Sequence, residues 1–143
     1  MIVSDDFPRL TPENHRITSP ADPEYNCIAW SAGDITRWYQ PGRYWPIPAS
    51  SDDAGIGVLE QMFLAMGYRD CAFDVSLESG YEKVALYGSI LFYTHAARQL
   101  PSGKWSSKLG PQQDIEHDTP HDLSGPAYGE VAQIMKRPLQ PGT

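Results

Sequence analysis

Basic residues are the scarce charge in this chain: eleven Lys and Arg stand against eighteen Asp and Glu, a formal charge of -7. Phosphate recognition needs clustered Lys and Arg, and here they are scattered, so a nucleic-acid groove is excluded and a neutral or cationic partner is favoured. Cysteine is almost absent, with only Cys27 and Cys71. There is no Cys-x-x-Cys and no Cys and His at zinc-finger spacing, which argues against a disulfide scaffold or a structural zinc and leaves a thiol available for chemistry. Long apolar runs are missing as well. No stretch approaches the roughly 20 apolar residues of a membrane span. Met1 to Pro8, carrying Asp5 and Asp6, lacks the basic-then-apolar order of a secretory signal. These absences place the expected location in the cytoplasm, with neither membrane nor nucleic acid as partner.

What remains is a chain of 143 residues, long enough to bury one core without covalent staples. Residues 1–23 are rich in Pro, Asp, Asn and Thr and read as an extended leader packed on the domain. Residues 24–143 read as a single α+β domain. From Cys27, the positions of Ile28, Trp30, Ile35 and Trp38 allow a short buried helix broken near Gly33. Gln40 to Ser51 is loop chemistry, with Pro41, Gly42, Pro46 and Pro48 around Tyr44 and Trp45, two aromatics available to line a substrate groove. Asp52 or Asp53 can cap a helix in which Ile56, Leu59, Phe63 and Met66 recur at three- and four-residue steps, stopped by Gly67. Strand-like runs follow at 68–75, 83–88, 91–100 and 104–109, and the tail at 128–136 reads as a short helix or an edge strand. Helices first and an antiparallel meander second make the α+β class.

Thiol catalysis needs a sulfur that deprotonates near neutral pH, and a cysteine in the first turn of a helix gains that from the unpaired amides and the dipole. Cys27 occupies such a position, while Cys71 lies inside an apolar strand and reads as structural. His95 is the candidate base: strand alternation places His95, Ala97 and Gln99 on one face, with small Ala97 leaving room beside the ring. The group that orients the imidazole is expected at Asp114, with His117 second and Ser107 nearby. The Cys27 amide and the Asn26 side chain could receive an oxyanion. A structural role competes at each of these positions, since free cysteines and lone strand histidines are more often buried than reactive. Metal ligation by His117 and His121 is disfavoured because Pro120 breaks the helix their spacing would need.

The segments Tyr-Asn-Cys-Ile-Ala-Trp (25–30), Gly-Tyr-Glu-Lys-Val-Ala-Leu-Tyr (80–87), Thr-His-Ala-Ala-Arg-Gln-Leu (94–100), Trp-Ser-Ser-Lys-Leu-Gly (105–110) and Asp-Ile-Glu-His (114–117) resemble a family of small uncharacterised bacterial proteins. The order of helix-start cysteine, strand histidine and polar return strand is similar to the papain-like superfamily, in particular its cell-wall amidase and peptidase branch. That resemblance implies N-terminal helices packed on an antiparallel meander. It also implies a cysteine hydrolase or transferase acting on an amide or thioester of a peptide, protein or small molecule, without cofactor or metal. Cys27 is followed by Ile28 and Ala29 rather than the Ser-Gly pair of the cell-wall enzymes, which argues against peptidoglycan. The alternative is a non-catalytic binding or inhibitory module of the same shape, whose acidic surface meets a basic protein partner.

Overall fold

The computed structural model describes residues 6–19, 24–50, 52, 54–109 and 113–139. Seven antiparallel strands form one sheet: β1 (His15–Ser19), β2 (Arg69–Asp70), β3 (Tyr81–Gly88), β4 (Tyr93–Gln99), β5 (Trp105–Lys108), β6 (Asp114–His117) and β7 (Val131–Pro138), in the order β1-β6-β5-β4-β3-β7-β2. Two α-helices, α1 (Cys27–Ser31) and α2 (Ile56–Ala65), and a 3-10 turn at Pro120–Leu123 complete it. Among the described residues no helix is long and apolar enough to cross a membrane.

This corrects the expected papain-like arrangement of N-terminal helices on a meander. Only α2 exceeds five residues, because Pro and Gly interrupt the stretch between α1 and α2 too often for a second full helix to propagate. The strands, in contrast, are more numerous than expected. The tail becomes β7, which lies between β3 and β2, and residues 114–117 become β6. Residues 15–19, from the expected leader, pair with β6 as β1. The expected run 68–75 contributes two strand residues only.

The α2 prediction holds in its apolar face, with Leu59, Met62 and Phe63 buried at helical spacing. The helix starts later than expected, at a Gly55 cap; Asp53 lies outside the described residues. Central strand β3 is buried from Lys83 to Tyr87 without alternation, since both faces of the sheet are covered. One face packs Val84, Leu86, Ala96 and Met135 against α1 and α2. The other packs Ala85, Tyr87, Ala97, Trp105, Ile115 and Ile134 beneath the 3-10 turn and the N-terminal segment. Lys83 is also buried, its ammonium held by the Asp74 carbonyl and by the carboxylates of Asp74 and Glu78.

A bulge interrupts the pairing of β3 with β4, so that Gly88 faces Tyr93 and Tyr87 faces His95, leaving Thr94 as the extra residue. Gly88 has φ +135, and a Cβ there would stand 2.3 Å from the Phe92 carbonyl oxygen, so only glycine fits. The bulge sets which side chains of β4 look toward α1, and thereby positions the site.

Candidate functional site: the cleft over Cys27

Asn26 builds the entry to α1. Its Oδ1 accepts from the Ala29 amide at 3.1 Å and from the Tyr39 amide at 3.2 Å, while its Nδ2 donates to the Tyr39 carbonyl at 2.7 Å. One side chain therefore caps the helix and fastens the loop that returns beside it. Between that loop, the start of α1 and the bulged end of β4 lies a cleft of about 370 Å³. Cys27 is part of its lining, with Trp38, Tyr39, Tyr93, Thr94 and Tyr128, and no charged side chain is among the described residues that line it. Tyr44 and Trp45, expected to shape the groove, stand behind this wall: their rings pack on Tyr39 at 5.1 and 6.4 Å, and Trp45 also meets Tyr93.

Cys27 is 7% exposed. Burial pushes its thiol up to about 11, outweighing the backbone N–H groups of Ala96, Ile28 and Cys27 and the nearby Lys108 charge, which pull the other way. The resting sulfur is a protonated thiol. Cys71, partly buried, donates weakly to the Ile134 carbonyl at 3.4 Å.

His95 is completely buried, and it looks the other way. Ala96 packs with α1, whereas His95 follows Tyr87 and Ala97 onto the opposite face, as alternation requires. Its ring stacks on Tyr128 at 4.1 Å with an interplanar angle of 4° and meets Tyr87 edge-on at 5.0 Å. Among the described residues neither ring nitrogen has a hydrogen-bond partner. Burial, with a smaller contribution from His117, holds the imidazole well below the ordinary histidine range, so it is neutral. No hydrogen bond joins it to Cys27.

The remaining predicted residues divide between the two faces. Asp114 is on the α1 side, where it accepts from the Tyr25 hydroxyl at 3.1 Å. Ser107 and His117 are on the His95 side and bond to each other at 2.7 Å. His117 Nδ1 must donate to the Thr119 carbonyl at 2.8 Å, so Nε2 is the acceptor and the Ser107 hydroxyl donates to it. This tautomer is neutral, in keeping with the lowering of His117 by burial. Gln99 donates to the Val75 carbonyl at 3.0 Å, tying β4 to the segment before β3, and to the Gly103 carbonyl of the β4–β5 turn at 3.4 Å. Sequence reasoning passed over Tyr128, the residue that both lines the cleft and covers His95. Its signal was the Gly-x-x-x-Gly spacing of Gly125 and Gly129, whose reciprocal backbone bonds at 3.1 and 2.8 Å close a tight turn around it. Among the described residues no group of three or more His, Cys, Asp or Glu side chains is placed to hold a metal ion.

Residues 16–136 match the family described as a domain of unknown function, DUF7689. The chain belongs to that family. The DUF7689 match begins in β1 and ends within β7, so it takes in β2 to β6 and both helices whole and most of β1 and β7. No curated protein and no solved structure matches the chain.

Proposed function

We propose that the protein is a binding module that takes a basic segment of a partner protein into the cleft over Cys27. The observation that carries this reading is the cleft's wall: four aromatic side chains, Trp38, Tyr39, Tyr93 and Tyr128, with no charged lining residue among those described, in a chain of formal charge -7. Long-range attraction brings a cationic segment to such a surface, and aromatic faces then hold a Lys or Arg side chain, each contact contributing about 0.5–2 kcal/mol. The adjoining loop already uses its rings this way, with Arg37 4.4 Å over Tyr44 and Arg43 5.5 Å over Trp38. Octa-arginine is expected to bind and to quench tryptophan fluorescence, whereas octa-glutamate is not. Trp38→Ala should weaken octa-arginine about tenfold. Equal affinity in wild type and Trp38→Ala, or no binding of octa-arginine, overturns the reading.

A second reading has one observation in its favour: Cys27 opens to the cleft with three backbone N–H groups about its sulfur, an arrangement suited to developing negative charge. On this reading Cys27 attacks the carbonyl of an amide or thioester and expels the amine or thiol, with His95 and Asp114 as the expected base and its orienting group. Because His95 faces the side of the sheet away from Cys27 and Asp114, the reading needs β4 to rearrange or another base to take the thiol proton. The pH dependence of iodoacetamide alkylation at Cys27 separates the two. The binding reading expects slow alkylation with a midpoint above pH 9, unchanged by His95→Ala in protein whose circular dichroism is native. A midpoint below pH 8 that rises in the variant would instead establish a thiol–imidazole pair.

A further inference from the structure

The far end of α1 borders a second cavity, of about 480 Å³, against β3, β4 and the end of β7. Ser31, Tyr68, Glu82, Arg98 and Arg137 are among its polar lining residues, with Lys83 and Gln99, whose side chains are engaged elsewhere. Arg137 is spoken for: it pairs with Glu82, donates to the Met66 carbonyl at 2.8 Å and lies 4.6 Å over the Tyr68 ring. Arg98 is different. Its guanidinium carbon is 3.9 Å over the Trp30 ring, its Nε is buried without a hydrogen-bond partner, and no carboxylate of the described residues reaches it within 4.0 Å. Ser31, 3% exposed, likewise keeps an Oγ without a partner.

Guanidinium donors left unpaired in a partly buried position are costly, and they are the groups a ligand would satisfy. We propose that this cavity binds a monoanionic carboxylate, gripped by Arg98 on its Trp30 platform, with Ser31 and Tyr68 as neutral hydrogen-bonding partners. The charge count sets the class. Within the lining the Arg137–Glu82 pair cancels and Lys83 directs its ammonium to Asp74 and Glu78; Asp114, whose charge also acts on Arg98, lies outside the lining, so Arg98 leaves the lining one positive charge. A dianion would bring its second charge toward Glu82, whereas a carboxylate matches the planar N–H edge that a stacked guanidinium leaves open. The site stands apart from the cleft, at the opposite end of α1, and does not depend on what the cleft binds.

The test is titration of the full chain at pH 7.5 and constant ionic strength with acetate, N-acetylglycine and inorganic phosphate, against chloride. Tryptophan fluorescence, with Trp30→Phe as the control that assigns the signal among the four tryptophans, and Tm are the two readouts. Both carboxylates should give a saturable change in Trp30 emission and a rise in Tm, with phosphate at least tenfold weaker. Arg98→Gln should lose the response at least tenfold. If wild type responds to neither carboxylate beyond chloride, the site is refuted whether or not the variant folds. Phosphate binding as tightly as acetate overturns the monoanion assignment, and an undiminished response in folded Arg98→Gln overturns the role of Arg98.

Discussion

Acidification from pH 6.5 to pH 5 is expected to remove about 1.5 kcal/mol of stability through His95 and a further amount through His117, because both buried histidines are neutral in the folded protein. In both, burial is the leading cause of a folded-state affinity for protons lower than that of the unfolded chain. The unfolded state therefore binds more protons below the ordinary value of 6.5, and the stability present above that value is lost as the pH falls, at about 1 kcal/mol per pH unit for His95 and at no more than that for His117. Asp34, Asp74 and Glu78 are held below their ordinary values of 3.8, 3.8 and 4.5, so their losses begin lower and leave this window to the histidines. Urea unfolding at half-unit steps of pH measures the slope. His95→Phe, which keeps an aromatic ring between Tyr87 and Tyr128 and removes two nitrogens without partners among the described residues, should remove at least half of it while leaving stability at pH 7.5 unchanged or higher. A flat wild-type curve, or the same slope in the variant, would sink this account.

Asn26→Ala is expected to cost about 3–4 kcal/mol and to lower Tm by on the order of 10 °C. The substitution removes a helix cap and also leaves the Tyr39 amide and carbonyl without their partner. Because Tyr39 is 5% exposed, water does not readily replace what is lost. Asn26→Ser separates the two contributions: a serine can cap Ala29 but cannot span to Tyr39, so it should recover about 1 kcal/mol and no more. Loss of the fastening also frees one wall of the cleft, so octa-arginine should bind the alanine variant more weakly than wild type at a temperature where both are folded. A loss of less than about 0.5 kcal/mol would show that Asn26 fastens nothing.

The sequence made α2, β3, β4 and β5 legible because each is a helix- or strand-forming run bounded by turn residues: Leu59, Met62 and Phe63 at helical steps in α2, and β-type runs in the strands, with side chains alternating from His95 to Gln99 beyond the bulge. Strand β1 was hidden because His-Arg-Ile-Thr-Ser carries one apolar residue, and its pairing with β6 is set by tertiary context. Residues 114–117 look in the sequence like a polar stretch that supplies an acid, whereas they form a strand in which Asp114, Ile115 and His117 are all buried. Alternation placed His95, Ala97 and Gln99 on one side of β4, as found, but periodicity cannot say which side meets α1. Only the packing of Ala96 on α1 decides that, and with it the separation of His95 from Cys27. The second cavity was illegible for the same kind of reason. Nothing in the spacing of Ser31, Arg98 and Arg137 announces that a helix end and two strands converge.

The pairing of β1 with β6 fixes an order of events during synthesis. Arg16 and Glu116 face each other across 100 residues of chain. At roughly 5–20 residues per second, β1 leaves the ribosome on the order of 5–20 s before its neighbour exists. The first strand to be made is thus among the last to be placed. Its short, polar sequence, with His15, Arg16, Thr18 and Ser19 around a single isoleucine, suits a segment that must wait in water without finding another partner.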